Sequence, residues 1–131
     1  MAAEAEGEID VRFSTEAESV EIERILSNRK PVDERTKVFV SGGINRPPME
    51  RTAAVLKLFE TARAVAAELD FELGEAQVGG ASDGNFLAAM GIPVLDGLGI
   101  SGDGAHAVHE HIEADDIARR GALIGGLLMK C

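Results

Sequence analysis

The sequence predicts an α/β chain in which strands and helices alternate. Two observations carry this prediction: a β-α-β pattern fills residues 1–44, and an α-β-α-β-α order follows from residue 47 onward. With 131 residues and 45% hydrophobic content, the chain is long enough to build a core. The two prolines at 47 and 48 forbid a helix across the junction, so residues 44–48 are the predicted domain boundary.

The first part reads as two strands and one helix. Residues 8–13 alternate apolar and polar side chains, which is typical of a half-buried strand. A helix is predicted over 15–29, with Ser14 or Thr15 as its N-cap, and a second strand over 36–43. Because two strands and one helix rarely fold alone, this part is predicted to be incomplete.

The second part contains the strongest helix of the chain. Over residues 50–70, apolar side chains recur at helical spacing and no breaker interrupts them. A short strand is predicted at 71–80, a loop leading into a short helix at 81–91, a buried strand at 92–99, and a closing helix at 114–130. This order favours a parallel α/β layer.

Charge and cysteine content exclude several classes of function. The net charge of −10 and pI of about 4.7 argue against nucleic acid as a partner, and no apolar run is long enough to span a membrane. The first residues lack the features of a secretory signal. One cysteine, Cys131, allows no intrachain disulfide, so the predicted compartment is the cytoplasm. Asp115 and Asp116 begin the closing helix, whose positive end favours them.

All three histidines lie between residues 101 and 116, at His106, His109 and His111. Three imidazoles with water form an accepted zinc site, but an exposed polar loop has the same composition. In an extended segment, 109 and 111 would share a face that 106 does not. His106 is the best candidate ligand, because the glycines and alanines around it let the backbone come close to an ion.

Three further motifs have both a binding interpretation and a plain structural one. Residues 97–102 match G-x-G-x-x-G, but no helix start follows them, so dinucleotide binding is not expected. Residues 79–85, GGASDGN, are suited to an anion or to a tight turn with a helix cap. Arg46 beside the rigid Pro-Pro is suited to pairing with a carboxylate or is a solvated linker arginine.

Taken in order, the segments GGINRPPMERT, VGGASDGNFLAAMGIPVLDGLG and GAHAVHEHIE resemble the C-terminal part of the zinc-dependent peptidase and amidohydrolase superfamily. This superfamily includes glutamate carboxypeptidase, aminoacylase, acetylornithine deacetylase and succinyl-diaminopimelate desuccinylase. The resemblance covers nearly the whole chain. It implies that residues 1–44 are the second half (β-α-β) of a ferredoxin-like lid and dimerisation domain. Residues 45–131 would then be the C-terminal α/β part of a catalytic domain that holds two zinc ions.

The resemblance also implies roles for individual residues. His106 matches the last zinc ligand of the family. Arg46 matches the arginine that reaches from the lid to clamp the substrate carboxylate, and Ser82, with Gly80 and Ala81, matches the loop that cups that carboxylate. The resemblance implies a structural role for the neighbouring aspartate at 83, and it leaves the roles of the histidines at 109 and 111 open.

The family's other metal ligands and its general base have no counterpart here, since the chain has no H-x-D and no adjacent pair of glutamates. The resemblance therefore implies no catalytic residue and at most one zinc ligand in this chain. The implied chemistry is hydrolysis of an amide next to a free carboxylate, in a peptide or an N-acyl amino acid. The chain alone is expected to be inactive, and either a homo-oligomer or in need of an N-terminal half. The alternative is a non-catalytic dimerisation or binding module.

Overall fold

The computed structural model describes residues 3–130, which contain four helices and one small antiparallel sheet. The cysteine on which the disulfide and compartment predictions rest, Cys131, lies outside the described residues. In chain order the elements are α1 (Glu16–Ser27), α2 (Ala53–Glu68), α3 (Gly84–Ala89), β1 (Gly102–Asp103), β2 (His111–Ile112) and α4 (Asp116–Leu128). Among these helices, none is long and apolar enough to cross a membrane.

The predicted helix of the first part is confirmed as α1, with both ends fixed by side chains. Thr15 is the N-cap, and it forms a capping box with Glu18: each side chain accepts a hydrogen bond from the other residue's backbone N–H, both at 3.1 Å. The helix ends at Ser27, two residues before the predicted end. There the Asn28 side-chain amide and backbone N–H both donate to the Arg24 carbonyl, at 2.7 and 3.2 Å, and the Arg29 N–H donates to the Leu26 carbonyl at 3.1 Å, which tightens the last turn.

The core of the molecule lies between α2 and α4. Its buried members are small or branched side chains that let the two helices approach closely: Ala62, Val65, Ala66, Leu123 and Leu127. Partly buried side chains from the segments that follow α2 and α3 cover the edge of this core: Phe71, Leu73, Leu95 and Leu98. Both long helices predicted for the second part are therefore confirmed, and their packing orients the loops between them.

The predicted strands differ most from the structure. Four segments form no strand in the described residues: 8–13, 36–43, 71–80 and 92–99. The ladder between β1 and β2 pairs Gly102 with Ile112 and Asp103 with His111, antiparallel. Residues 3–130 thus form a small, helix-rich mixed structure that is compatible with an α/β fragment, and they contain no parallel layer.

Within residues 3–130, none of these four segments has a neighbouring strand with which its backbone could pair. A strand is stable only when an adjacent strand takes up its backbone N–H and C=O groups. The apolar side chains that should face a core remain exposed: Ile9 is 72%, Phe39 is 88% and Val78 is 76% accessible. The whole chain exposes 10684 Å², whereas a compact protein of this size exposes roughly 6,600 Å².

Candidate functional site

Two segments that are far apart in sequence meet at Arg46. Its guanidinium Nη1 donates to the Ser82 carbonyl at 3.0 Å and lies 3.0 Å from Oδ1 of Asp83. The same guanidinium lies 4.8 Å from the centre of the Phe86 ring, on the first turn of α3. The Arg46 side chain is only 35% exposed, so this arginine is held in place and does not extend freely into solvent.

Asn85 links the same two segments and was missed by the sequence reasoning. Its side-chain nitrogen donates to the Pro47 carbonyl at 2.8 Å, and its side-chain oxygen accepts from the Ser82 N–H at 2.8 Å. Asn85 is buried, with 7% of its surface exposed. The sequence did offer a signal for this role, because an asparagine two residues after the Ser-Asp pair is placed where Asn side chains commonly hydrogen-bond to nearby backbone groups.

The loop at 79–85 makes a turn that leads into α3. The Ser82 hydroxyl accepts from the Gly84 N–H at 3.1 Å, whereas the Asp83 side chain makes no capping hydrogen bond. Asp83 therefore occupies the N-cap position, but the side-chain acceptor at the start of α3 is the Ser82 hydroxyl, and the Asp83 carboxylate contacts Arg46 instead. A Cβ on Gly80 would meet nothing within 4 Å, so the backbone there is open to a ligand. Ala81, which lies between Gly80 and Ser82, is exposed.

A second arginine, Arg12, also reaches this loop and was not singled out from the sequence. Its Nη1 donates to the Gly79 carbonyl at 3.0 Å, 67 residues away in the chain. Gly79 itself lies close to the Arg12 side chain, since a Cβ there would stand 3.2 Å from Cδ. Two guanidinium groups from the first 46 residues therefore donate to carbonyls of the GGASDG turn. Each also lies near a carboxylate: Arg12 is 3.6 Å from Asp10, and Arg46 is 3.0 Å from Asp83.

His106 lies in the loop that connects β1 and β2. Two consecutive turns shape this loop: the Ala107 N–H donates to the Gly104 carbonyl at 2.8 Å, and the Glu110 N–H donates to the Ala107 carbonyl at 3.1 Å. His106 has a φ of +66°, a left-handed conformation that is uncommon for a residue with a side chain. The side chain is exposed at the tip of the hairpin.

The three histidines do not converge on one point. The His109 ring packs against Gly104, where an added Cβ would stand 2.7 Å from Cδ2. The His111 Nδ1 lies 3.1 Å from the His109 carbonyl. In residues 3–130 there is no group of three or more His, Cys, Asp or Glu side chains close enough to hold an ion. A catalytic zinc takes three protein ligands, so these residues do not fit a complete metal centre.

A buried carboxylate, Asp116, anchors the base of this hairpin. It is 3% exposed, and its Oδ2 accepts from the Ser101 N–H at 3.0 Å and from the Ser101 hydroxyl at 2.7 Å. Arg120 and Arg119 donate to the same carboxylate at 3.0 and 2.7 Å. The hydrogen bonds from Ser101, followed by those from the arginines, hold the pKa of Asp116 well below its usual range. From the sequence, Asp116 was assigned only to the helix dipole.

The comparison with family models gives a match over nearly the whole chain. A model described as Peptidase family M20/M25/M40 matches residues 7–130, which include Arg46, the GGASDG turn and His106. No curated protein and no solved structure gives a match.

Proposed function

This chain belongs to peptidase family M20/M25/M40, a family of metallopeptidase-type hydrolases, and we propose that it forms the C-terminal part of such an enzyme. In this proposal the enzyme is a zinc-dependent carboxypeptidase or N-acyl-amino-acid amidohydrolase. It cleaves an amide bond next to a free carboxylate, in a peptide or an N-acyl amino acid. We propose the cytoplasm as its compartment, because a chain with one cysteine suits reducing surroundings.

The observation that carries the proposal is the contact between Arg46 and the GGASDG turn. A guanidinium has five N–H donors in a planar fork, and a carboxylate accepts two of them side by side. The contacts of Arg46 with Ser82 and Asp83 both run through Nη1. The open backbone at Gly80 and the exposed residue Ala81 lie in the same turn. A substrate carboxylate would replace the exposed Asp83 carboxylate as the partner of the Arg46 guanidinium.

The proposed metal role is confined to His106. Because residues 3–130 do not fit a complete centre, the other ligands and the general base would come from outside this chain. In a complete enzyme, a bound zinc ion would supply Lewis acidity toward the amide carbonyl. What this chain would contribute is one imidazole and the carboxylate-binding turn, and by itself it would not turn over substrate.

The proposed division of the chain is a lid half over residues 1–44 and a catalytic part over 45–131. Support comes from the unpaired segments 8–13 and 36–43, which read as strands but lack neighbours. The chain exposes 10684 Å², which is about 4,000 Å² more than a compact protein of its size. Both observations fit a part that is completed by an N-terminal half or by a second copy.

A non-catalytic binding module derived from the family is the second candidate. The absence of a three-ligand group in the described part of the chain favours it. Such a module would gain mass with concentration and would never hydrolyse N-acyl amino acids, with or without added zinc. Zinc-dependent hydrolysis by any assembly that contains this chain would exclude it.

The carboxylate site is tested with two ligands that differ only in the group proposed to bind. N-acetyl-L-alanine and its C-terminal amide are titrated into the chain, and the backbone NMR signals of Gly80, Ala81 and Ser82 are followed. We expect the acid to shift these signals and the amide not to. In Arg46→Ala the affinity for the acid should fall about tenfold or more, because a charged hydrogen bond is worth roughly 1.5–3 kcal/mol.

The matched control is Arg35→Ala, which removes the same charge from an exposed arginine that pairs with Asp33 outside the turn. It should bind the acid like the wild-type chain. Equal binding of acid and amide, or unchanged affinity in Arg46→Ala, would contradict the proposed carboxylate site.

A further inference from the structure

The segment that carries the three histidines is a closed unit, here called the histidine hairpin and defined as residues 101–113. Its two strands pair at Gly102–Ile112 and Asp103–His111. At the open end, the Glu113 N–H donates to the Ser101 carbonyl at 2.8 Å. The loop inside it contains the two turns that hold His106 in its left-handed conformation.

Three of the four hydrogen bonds that join this hairpin to the rest of residues 3–130 involve Asp116. The Asp116 carboxylate accepts from the Ser101 N–H and hydroxyl, at the first end of the hairpin. The Asp116 backbone N–H donates to the Glu113 carbonyl at 2.9 Å, at the other end. Arg120 completes the contact, since it donates to the Ser101 hydroxyl at 3.1 Å and to Asp116 at 3.0 Å.

This anchor is continuous with the core. Asp116 is the first residue of α4, the helix that packs on α2. The guanidinium groups of Arg119 and Arg120 lie 5.1 and 5.9 Å from the centre of the Phe71 ring, and Phe71 covers the edge of that core. The hairpin is therefore joined by hydrogen bonds to the first turn of a helix that forms the core together with α2.

We propose that Asp116 is a positioning residue: its carboxylate and its backbone N–H hold both ends of the histidine hairpin against α4 and thereby fix the place of His106. This inference rests on the proposed function for the role of His106 as a ligand, but the placement of the hairpin stands on the contacts alone. Without the anchor, the hairpin would keep its local turns and lose its fixed orientation.

Hydrogen exchange by mass spectrometry on the full chain tests the anchor directly. Asp116→Asn is compared with Asp115→Asn, which makes the same charge change at an exposed neighbouring position. We expect Asp116→Asn to speed exchange in residues 101–113 on the order of tenfold while residues 53–68 of α2 exchange at the wild-type rate. Asp115→Asn should leave both segments unchanged.

Equal acceleration in both segments, or an unchanged hairpin, would overturn the inference. If Asp116→Asn fails to fold, Ser101→Ala decides, because it removes one donor and leaves Asp116 paired with both arginines. That variant should speed exchange in the hairpin alone. Ser101→Ala with wild-type exchange in the hairpin would count against the proposal.

A second readout separates positioning from general stability. Residual dipolar couplings of the ¹⁵N-labelled chain report the orientation of the hairpin relative to α2 and α4. We expect the backbone N–H couplings of residues 102–112 to fit one common orientation with the helices in the wild-type chain and in Asp115→Asn, and to average toward smaller values in Asp116→Asn and Ser101→Ala while the couplings of α2 stay unchanged. The same hairpin couplings in all four chains would overturn positioning. Because this readout needs no zinc, it judges the anchor separately from the proposed ligand role of His106.

Discussion

Gly102 and Gly104 show how single residues shape the histidine hairpin. A Cβ on Gly102 would collide with the carbonyl oxygen of His111 on the opposite strand. Gly104 has a φ of +72°, and a Cβ there would stand 2.7 Å from the His109 ring. Both positions therefore require glycine, one for close backbone approach and the other for conformation and space.

We expect Gly102→Ala to separate β1 from β2, because the atom it meets is backbone and cannot swing aside. Exchange in residues 101–113 should rise while α2 keeps its protection, as measured by hydrogen exchange mass spectrometry. Gly99→Ala is the control, since a Cβ at Gly99 meets nothing within 4 Å. Full protection of the hairpin in Gly102→Ala would show that the close approach is not required.

Asp116 gives the chain a specific acid sensitivity. Its folded pKa is lowered by Ser101, Arg120 and Arg119, whereas an unfolded aspartate titrates near pH ~3.9. The stabilisation from its charged form is therefore present above about pH 4 and is lost as the pH falls from there toward the folded pKa. We expect the free energy of unfolding of the wild-type chain to fall in that range.

Urea denaturation between pH ~4 and ~2 measures this effect. Asp116→Asn should show a flatter dependence there, together with lower stability at neutral pH. Asp115→Asn should keep the wild-type slope. The same slope in Asp116→Asn as in the wild type would mean that other carboxylates govern acid unfolding.

At the scale of the elements, the contact between α2 and α4 depends on a glycine of α4. A Cβ on Gly126 would stand 2.5 Å from Cγ1 of Val65, a buried side chain on α2, whereas a Cβ on the neighbouring Gly125 would meet nothing within 4 Å. Valine in a helix is held to one rotamer, so Val65 cannot turn away. The close approach of these two helices therefore requires Gly126.

We expect opposite results from alanine at these two adjacent glycines. Gly125→Ala should raise the free energy of unfolding by about 0.5–1 kcal/mol, because alanine favours the helix. Gly126→Ala should lower it by about 1–3 kcal/mol through overpacking. Chemical denaturation of both variants measures the difference. If both substitutions raised the free energy of unfolding, α2 and α4 would be able to move apart without a loss of stability, and the requirement for Gly126 would be wrong.

At the scale of the whole molecule, surface area and charge predict its behaviour in solution. The chain exposes 10684 Å², about 4,000 Å² more than a compact protein of its size, and one partner in a standard interface contributes about 800 Å². The net charge of −10 opposes association between copies. Exposed apolar surface and like charge therefore act against each other.

We expect a mass that rises with protein concentration and rises further with salt, because salt screens the repulsion between acidic copies. Sedimentation at low and high NaCl measures this, and thermal unfolding should be broad and occur at low temperature. A monomer at every concentration, with a sharp transition above ~65 °C, would contradict the proposal that the chain needs a partner.

The sequence by itself determined the helices and pointed to the family. The capping box of Thr15 and the apolar period of α2 act within a few residues, so the information for these elements is local. The motifs around Arg46, Ser82 and His106 carried the resemblance that the family match supports at the level of the family.

Tertiary structure alone decided which polar groups meet and which strands pair. Asn85 reaches Pro47 across 38 residues, and Asp116 reaches Ser101 across 15, so no local pattern reports either contact. Alternating side chains predicted a strand at 8–13, but a ladder needs a neighbour whose presence the pattern does not encode. Side-chain hydrogen bonds to distant carbonyls and the supply of strand partners are properties of the assembled chain, and only the folded molecule fixes them.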